Sequence, residues 1–201
     1  MSKYENKKIS DILELEIIDS YIFNENVDKN IIISNIEIDN CIFEKIDFQN
    51  IKLENVDLYN VEFIGCDLSC QCFDNRFLNK VKFKDCKLSG SSFLESMVKN
   101  VIFEDCIVKY SNFSNTNINN LLIKNSDFSE SSFIESEIKK ITLENVKFNR
   151  TEFVHINLNK VDFSDCDITD ALFDIYSLKG IVVDRFQCSN LVGMLGVIVK
   201  D

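Results

Sequence analysis

In the stretch CIFEKIDFQNIKLENVDLYNVEF, Phe or Leu falls at every fifth position, at Phe43, Phe48, Leu53, Leu58 and Phe63. Continuing the same step gives 31 consecutive positions from Ile33 to Val183, every one Ile, Leu, Val or Phe, with nothing inserted or deleted. An amphipathic helix repeats its apolar face every 3.6 residues and a half-buried strand every 2, so neither element produces this beat. The position two before each beat carries small or β-branched side chains, as at Ile31, Ile36, Cys41, Ile46, Ile51, Val56 and Val61. The intervening positions are mostly Asp, Glu, Lys, Asn and Ser. The first three residues of each unit therefore alternate as a strand does, both end side chains pointing inward. The last two must turn the chain, because a continuing strand would send the next apolar side chain outward. Identical short segments joined by identical turns coil into a solenoid whose coils bury one another's apolar sides. The pattern predicts an all-β solenoid in one domain. The absence of Pro suits backbone amides needed for coil-to-coil hydrogen bonds, and only five Gly leave the turns to Asn, Asp and Ser.

The units Val56-Asp57-Leu58, Cys66-Asp67-Leu68, Ser126-Asp127-Phe128, Val161-Asp162-Phe163 and Cys166-Asp167-Ile168 resemble the pentapeptide-repeat family, whose motif is A(N/D)LXX with Leu or Phe at its centre. The resemblance covers residues 31–185. It implies a right-handed quadrilateral β-helix with four repeats per coil, which the five-residue period alone does not give. The repeats then make about eight coils, and at ~4.8 Å per coil a rod of about 37 Å.

Residues 1–30 keep part of the beat at Leu13, Ile18 and Phe23 before Asp28 breaks it, and are expected to cap the first regular coil, with a short helix near Lys8–Leu15 as the alternative. Residues 186–201 are expected to form a short helix ended by Gly196, with Phe186, Leu191, Met194 and Leu195 on its apolar face, and then a strand at Val197-Ile198-Val199. This tail, with Leu178-Lys179-Gly180-Ile181 before it, the aromatic-Gln pair Phe186-Gln187 and Leu195-Gly196-Val197, is similar to the C-terminal end of quinolone-resistance pentapeptide-repeat proteins. That similarity implies a homodimer formed through Phe186, Leu191, Met194 and Leu195.

The charged opening residues and the lack of a long apolar run lead us to expect a soluble, cytoplasmic protein with no membrane partner. Eight Cys in so short a chain raise the question of disulfides, but Cys41, Cys66, Cys86, Cys106 and Cys166 all take the small inward position, where a thiol acts as core filler. No metal, cofactor or catalytic residue is expected. The one His, His155, stands in an outward turn position with no nucleophile around it, and a filled solenoid leaves no pocket.

The net charge of −11 argues against direct nucleic-acid binding. With successive repeats from residue 31 assigned to four faces in turn, the first face carries Asp74, Glu95, Glu135, Glu152 and Asp174, while Lys52 and Glu54 cancel. The second is basic, with Arg76, Lys80, Lys99, Lys139, Lys140, Lys160 and Lys179 against Glu37, Asp39, Asp57 and Glu137. The family resemblance gives the acidic face a meaning: gyrase-binding members are DNA mimics, so the implied partner is DNA gyrase or topoisomerase IV, bound without enzymatic activity through those five acids. The competing reading is a scaffold with another protein partner and an acidity that only solubilises it. One departure stands out. Quinolone-protecting members interrupt their coils with loops, whereas this beat is unbroken. Its weakest points are Gln71, Arg76, Leu121 and Tyr176 at the small inward position, and Gln71 with Arg76 predicts a local bulge or distortion, not a binding loop. Rows of outward apolar residues, Leu94, Ile134 and Val154 on the first face and Ile102 and Leu122 on the third, are a further candidate partner surface.

Overall fold

The computed structural model describes residues 4–12, 15, 17–194 and 196–198. Strand pairs are parallel, and from Ile17 on register partners lie 20 residues apart, as in Ile31↔Ile51, Leu58↔Leu78 and Met97↔Asn117, save at a bulge where Asn119 faces Lys140. The same spacing continues through single bridges such as Lys87↔Ile107 and Ser132↔Glu152 on sides too short to count as strands. Each coil is thus four five-residue sides, and the chain is a right-handed quadrilateral β-helix of about eight coils with one short C-terminal helix, as the repeat and the family resemblance imply.

The beat residues fill the interior. On the third face Phe23, Phe43, Phe63, Phe83 and Phe103 stack at ring separations of 4.7–5.1 Å. On the first face Phe73, Phe93, Phe113, Phe133, Phe153 and Phe173 form a second column at 4.6–5.3 Å. Edge-on contacts such as Phe103 to Phe113 at 6.1 Å join the two columns across the core. The small inward position has a second duty. There Ser91, Ser111, Thr116, Ser131, Ser136 and Thr151 each donate a hydroxyl to the carbonyl of a beat residue on the coil below, at 2.6–2.9 Å. At Leu68, Leu88, Phe93, Phe113 and Phe128 that carbonyl also accepts the N–H three residues on, so the small hydroxyl adds a second bond, between coils, at little volume.

The corners explain the fifth residue. The last residue of nearly every unit adopts positive φ, between 47° and 67° at non-glycine positions, and Asn35, Asn40, Asn55, Asn60, Asn75, Asn100, Asn115, Asn120, Asn125 and Asn145 are among them. Asn visits this region more readily than other side chains, so the turns need few Gly. Asp or Asn one before the beat closes the other half of the turn: Asp67, Asp127, Asp162 and Asp167 accept from the backbone N–H two residues on, at 2.9–3.1 Å.

At the N-terminal end, Ile17–Asp19 and Tyr21–Phe23 already pair with the next coil, and Ile9 and Ile12 of the 3-10 turn Ile9–Ile12 are buried against it. Leu13 lies outside the described residues. At the other end, Asp184 accepts from the amides of Phe186 and Gln187 and starts the helix Arg185–Met194. Gln187 then donates to the carbonyls of Phe163 (2.9 Å) and Cys166 (2.7 Å), fastening the helix to the last coils. Val197 and Ile198 are exposed and lie in no strand; Val199 lies outside the described residues.

The irregular inward residues behave in different ways. Leu121 is simply buried. Gln71 inserts its carboxamide where the ladder between Lys52 and Cys72 should run, donating to the carbonyls of Phe48 (3.2 Å) and Ile51 (2.9 Å) and accepting from the N–H of Leu53 (3.2 Å). One unit later Arg76 is only half buried, and the N–H of Phe77 reaches the Asp57 side chain (2.8 Å) in place of a backbone carbonyl. The distortion at Gln71 and Arg76 is therefore a pair of ladder gaps bridged by side chains, with no bulge or loop. Tyr176 is 57% exposed because Ser177, one residue later, takes the inward place.

Candidate protein-binding surfaces

The five acids of the first face fall into two kinds. Asp74 accepts from the Ser92 hydroxyl and from the Leu94 N–H at 2.9 Å, so it ties one coil to the next. Asp174 accepts from the hydroxyl and amide of Ser177 and the amide of His155, and lies 3.1 Å from His155 Nδ1. Burial raises its carboxyl, but these donors outweigh that and hold it below the usual carboxylate range. Glu95 and Glu135, by contrast, are exposed at corners of φ 55°. They are two coils apart with Asn115 between them, ~10 Å along the rod. Glu152 is half buried in the short strand Glu152–Phe153. Only three of the five acids thus present carboxylates that are not engaged in holding the coils together. Sequence spacing places all five on one side and does not distinguish a free carboxylate from one turned along the rod. The outward apolar residues Leu94, Ile134, Val154, Ile102 and Leu122 are all half buried, so they make no exposed stripe.

The C-terminal end carries an apolar surface. Leu172, Ile175, Tyr176, Phe186, Met194, Val197 and Ile198 are exposed there, Phe186 by 71% and Ile198 by 85%. Leu191 has the opposite role: it is 7% exposed and belongs to the core of its own solenoid. Leu195 lies outside the described residues.

The inward thiols pack as filler. Cys66, Cys86 and Cys106 each donate to the carbonyl of a Phe on the coil below, at 3.3–3.4 Å. Burial pushes the Cys41 and Cys166 thiols up to about 11, and contact with Cys106 together with burial raises Cys86 to about 12. Contact with Cys86 lowers the Cys106 thiol in spite of burial, so it is lack of access to the reagent that leads us to expect the five buried thiols of the eight to resist a thiol-reactive dye at pH 8. Cys70, Cys72 and Cys188 are exposed and are expected to be modified in native protein, the rest only after denaturation. Titration with Ellman's reagent before and after guanidinium checks this. Among the described residues, no group of three or more His, Cys, Asp or Glu is placed to hold a metal ion, and no helix is long and apolar enough to cross a membrane.

Comparison with known proteins returns the five-residue repeat as well. The model of a pentapeptide repeat region matches residues 56–133, and that of pentapeptide repeats (8 copies) matches residues 34–69 and 140–174. The chain belongs to the pentapeptide-repeat proteins. Among solved pentapeptide-repeat structures it is similar to Rfr23 from the cyanobacterium Cyanothece 51142, at 17% identity over 61% of this chain and 91% of that one, with a TM-score of 0.46. It is similar too to a trypsin-treated variant of QnrB1, a plasmid-mediated fluoroquinolone resistance protein, at 20% identity over 92% and 99% with a TM-score of 0.40. A third is HetL from Nostoc sp. strain PCC 7120, involved in heterocyst differentiation regulation, at 12% identity over 83% and 82% with a TM-score of 0.34. No curated protein matches the chain in sequence.

Proposed function

We propose that this pentapeptide-repeat protein is a non-enzymatic, cytoplasmic binding rod that occupies a DNA-binding groove of a type II topoisomerase, DNA gyrase or topoisomerase IV. The observation that carries the reading is a solenoid of net charge −11 with carboxylates repeating along its length, Glu95, Glu135 and Glu152 standing clear of the coil-to-coil ties. DNA carries a phosphate every ~3.4 Å per strand, so the rod is a dilute mimic and depends on shape and stiffness as much as on charge. The apolar C-terminal end supports a homodimer, an isologous pair that would double the length of the rod. Phe186→Asp with Met194→Asp is expected to leave a monomer by sedimentation, whereas Leu191→Asp is expected to loosen the helix itself.

The functional test is gyrase supercoiling, with and without a quinolone, at two salt concentrations. Inhibition or protection that weakens at high salt and is lost in the triple variant Glu95→Gln, Glu135→Gln, Glu152→Gln is the expected result. Asp74 and Asp174 stay in place, because neutralising them would loosen the coils and confuse the outcome. No effect at several-fold molar excess over gyrase would refute the topoisomerase reading and leave a scaffold with a different protein partner.

A further inference from the structure

Among the described residues, one layer of the solenoid lacks its backbone rungs on two of its four sides. Asn117–Lys124 pairs along its length with Glu137–Glu144, but no backbone hydrogen bond joins residues 137–144 to residues 157–164 on the next coil. The other two sides of that layer are closed, by Lys147↔Asp167 and Glu152↔Leu172, and the rings that cross it lie there, Phe153 on Phe173 at 5.1 Å and Phe148 against Phe163 at 6.0 Å. Core side chains register the difference. Ile138, Ile141 and Leu143 are half buried, whereas their counterparts one coil below, Ile118, Leu121 and Ile123, are at most 1% exposed.

The cause lies at one corner. Every residue between the second and third faces adopts positive φ, at Ser20, Asn40, Asn60, Lys80, Asn100, Asn120, Lys160 and Gly180, except Lys140. There the register slips, Asn119 facing Lys140 and passing over Lys139, and a bulge of this kind ends regular pairing. In regular coils the amide of each beat residue points to the coil above, as Phe93 donates to Asn112 and Phe113 to Ser132, both at 2.7 Å; among the described residues Ile138 and Leu143 find no such acceptor. Charge does not close the gap either. Glu137, Glu144, Asp162 and Asp165 stand around it with Lys139, Lys140 and Lys160, yet among the described residues no ion pair crosses it, and the tie there is Asn145 N–H to the Asp165 side chain at 2.9 Å. The gap at Gln71 differs, because a carboxamide fills its missing rungs.

Beyond this layer the chain is well tied to itself. Lys160 donates to Gly180 and Phe163 to Val182, both at 2.8 Å, and Val182 donates back to Val161 at 2.9 Å. The helix clamps the same coil through Gln187, and its Leu191 is buried. A regular solenoid frays from its end one coil at a time, because each layer is held as the next one is. Here the last segment is held to itself more fully than to the coils beneath it. We infer that residues 157–194 are a separate cooperative unit, which unfolds and refolds while the coils up to residue 156 stay folded. Phe186 and Met194 belong to that unit, so on the homodimer reading the surface that joins two rods is lost whenever it opens. That consequence rests on the dimer reading; the unit itself does not.

Native-state hydrogen exchange in rising guanidinium tests this on the full chain, with Phe186→Asp, Met194→Asp run beside it so that association adds no protection. The amides of Phe148 and Arg150, which reach across the open layer to Asp167 and Thr169, are expected to merge into one exchange curve with those of Lys160, Phe163 and Val182. One layer below, the amides of Phe128, Glu130 and Phe133 bond to Lys147, Asn149 and Glu152, and they are expected to exchange at least about a hundredfold more slowly. Phe163 is buried within the unit, so Phe163→Ala is expected to speed the first group at least about tenfold and leave the second unchanged, even where it unfolds the unit outright. A smooth, coil-by-coil rise in protection from Val182 to Phe113 would overturn the proposal, since it is the signature of ordinary fraying. An equal effect of Phe163→Ala on both groups would overturn it too, by making the solenoid one cooperative body.

Discussion

Replacing Phe113 with alanine is expected to cost about 3–5 kcal/mol, a large share of the stability of a protein this size. Phe113 is completely buried and stacks on Phe93 at 4.6 Å and on Phe133 at 4.9 Å, with Phe103 and Phe128 against its flanks. Stacked coils cannot collapse sideways into the void, because the ladder fixes their spacing at ~4.8 Å. In a quasi-one-dimensional fold each coil is held by its neighbours, so a central defect uncouples the two halves. Phe173→Ala is the control: that ring is half buried and has one stacked neighbour, Phe153 at 5.1 Å, and its loss should cost less than half as much. Guanidinium midpoints for both variants decide the matter; equal losses would mean that the aromatic column is not continuous.

The second large effect is expected where a substitution brings the chain closer to the repeat. Gln71→Val restores the family-like side chain at the inward position, yet it should destabilise by about 2–4 kcal/mol. The carboxamide pairs with three backbone groups, the carbonyls of Phe48 and Ile51 and the amide of Leu53, in a buried place. The ladder does not take over those bonds on its own account, because the neighbouring break at Phe77, satisfied by Asp57, holds the adjacent side open as well. Thermal melting of Gln71→Val beside Ser91→Val tests this, since Ser91 occupies the same position one coil on and gives up a single hydrogen bond. A raised melting temperature for Gln71→Val would mean that the two coils simply close.

The solenoid was legible because its physics is local and repeated. Small-inward, large-inward and turn positions are visible in every unit, and the thiols at Cys66, Cys86 and Cys106 lie one coil apart as their spacing implies. The turn chemistry was visible too, in the Asp-x-Ser and Asp-x-Thr runs at Asp67, Asp127, Asp162 and Asp167. What the period hides is the departure that keeps the period. Gln71 and Tyr176 both break the inward rule, and one is a buried bridge while the other is displaced to the surface by Ser177. Lys140 signals its bulge only by standing in a column where Asn100 and Asn120 precede it. Yet Lys80 and Lys160 occupy the same corner with the usual positive φ, so residue type alone does not decide the conformation. Nor does spacing tell a carboxylate that ties coils, such as Asp74, from one that faces solvent, such as Glu95.

The corner at Lys140 also makes the rod unequal under load. Rungs between coils run parallel to the long axis, so tension applied at the two ends is carried by every layer in series. A chain of layers is as strong as its weakest, and among the described residues the layer between residues 137–144 and 157–164 holds by backbone rungs on only two of its four sides. Pulled from its ends, the protein behaves less like a uniform cable than like one with a tear line, parting there into a long N-terminal block and a short C-terminal one that carries the helix.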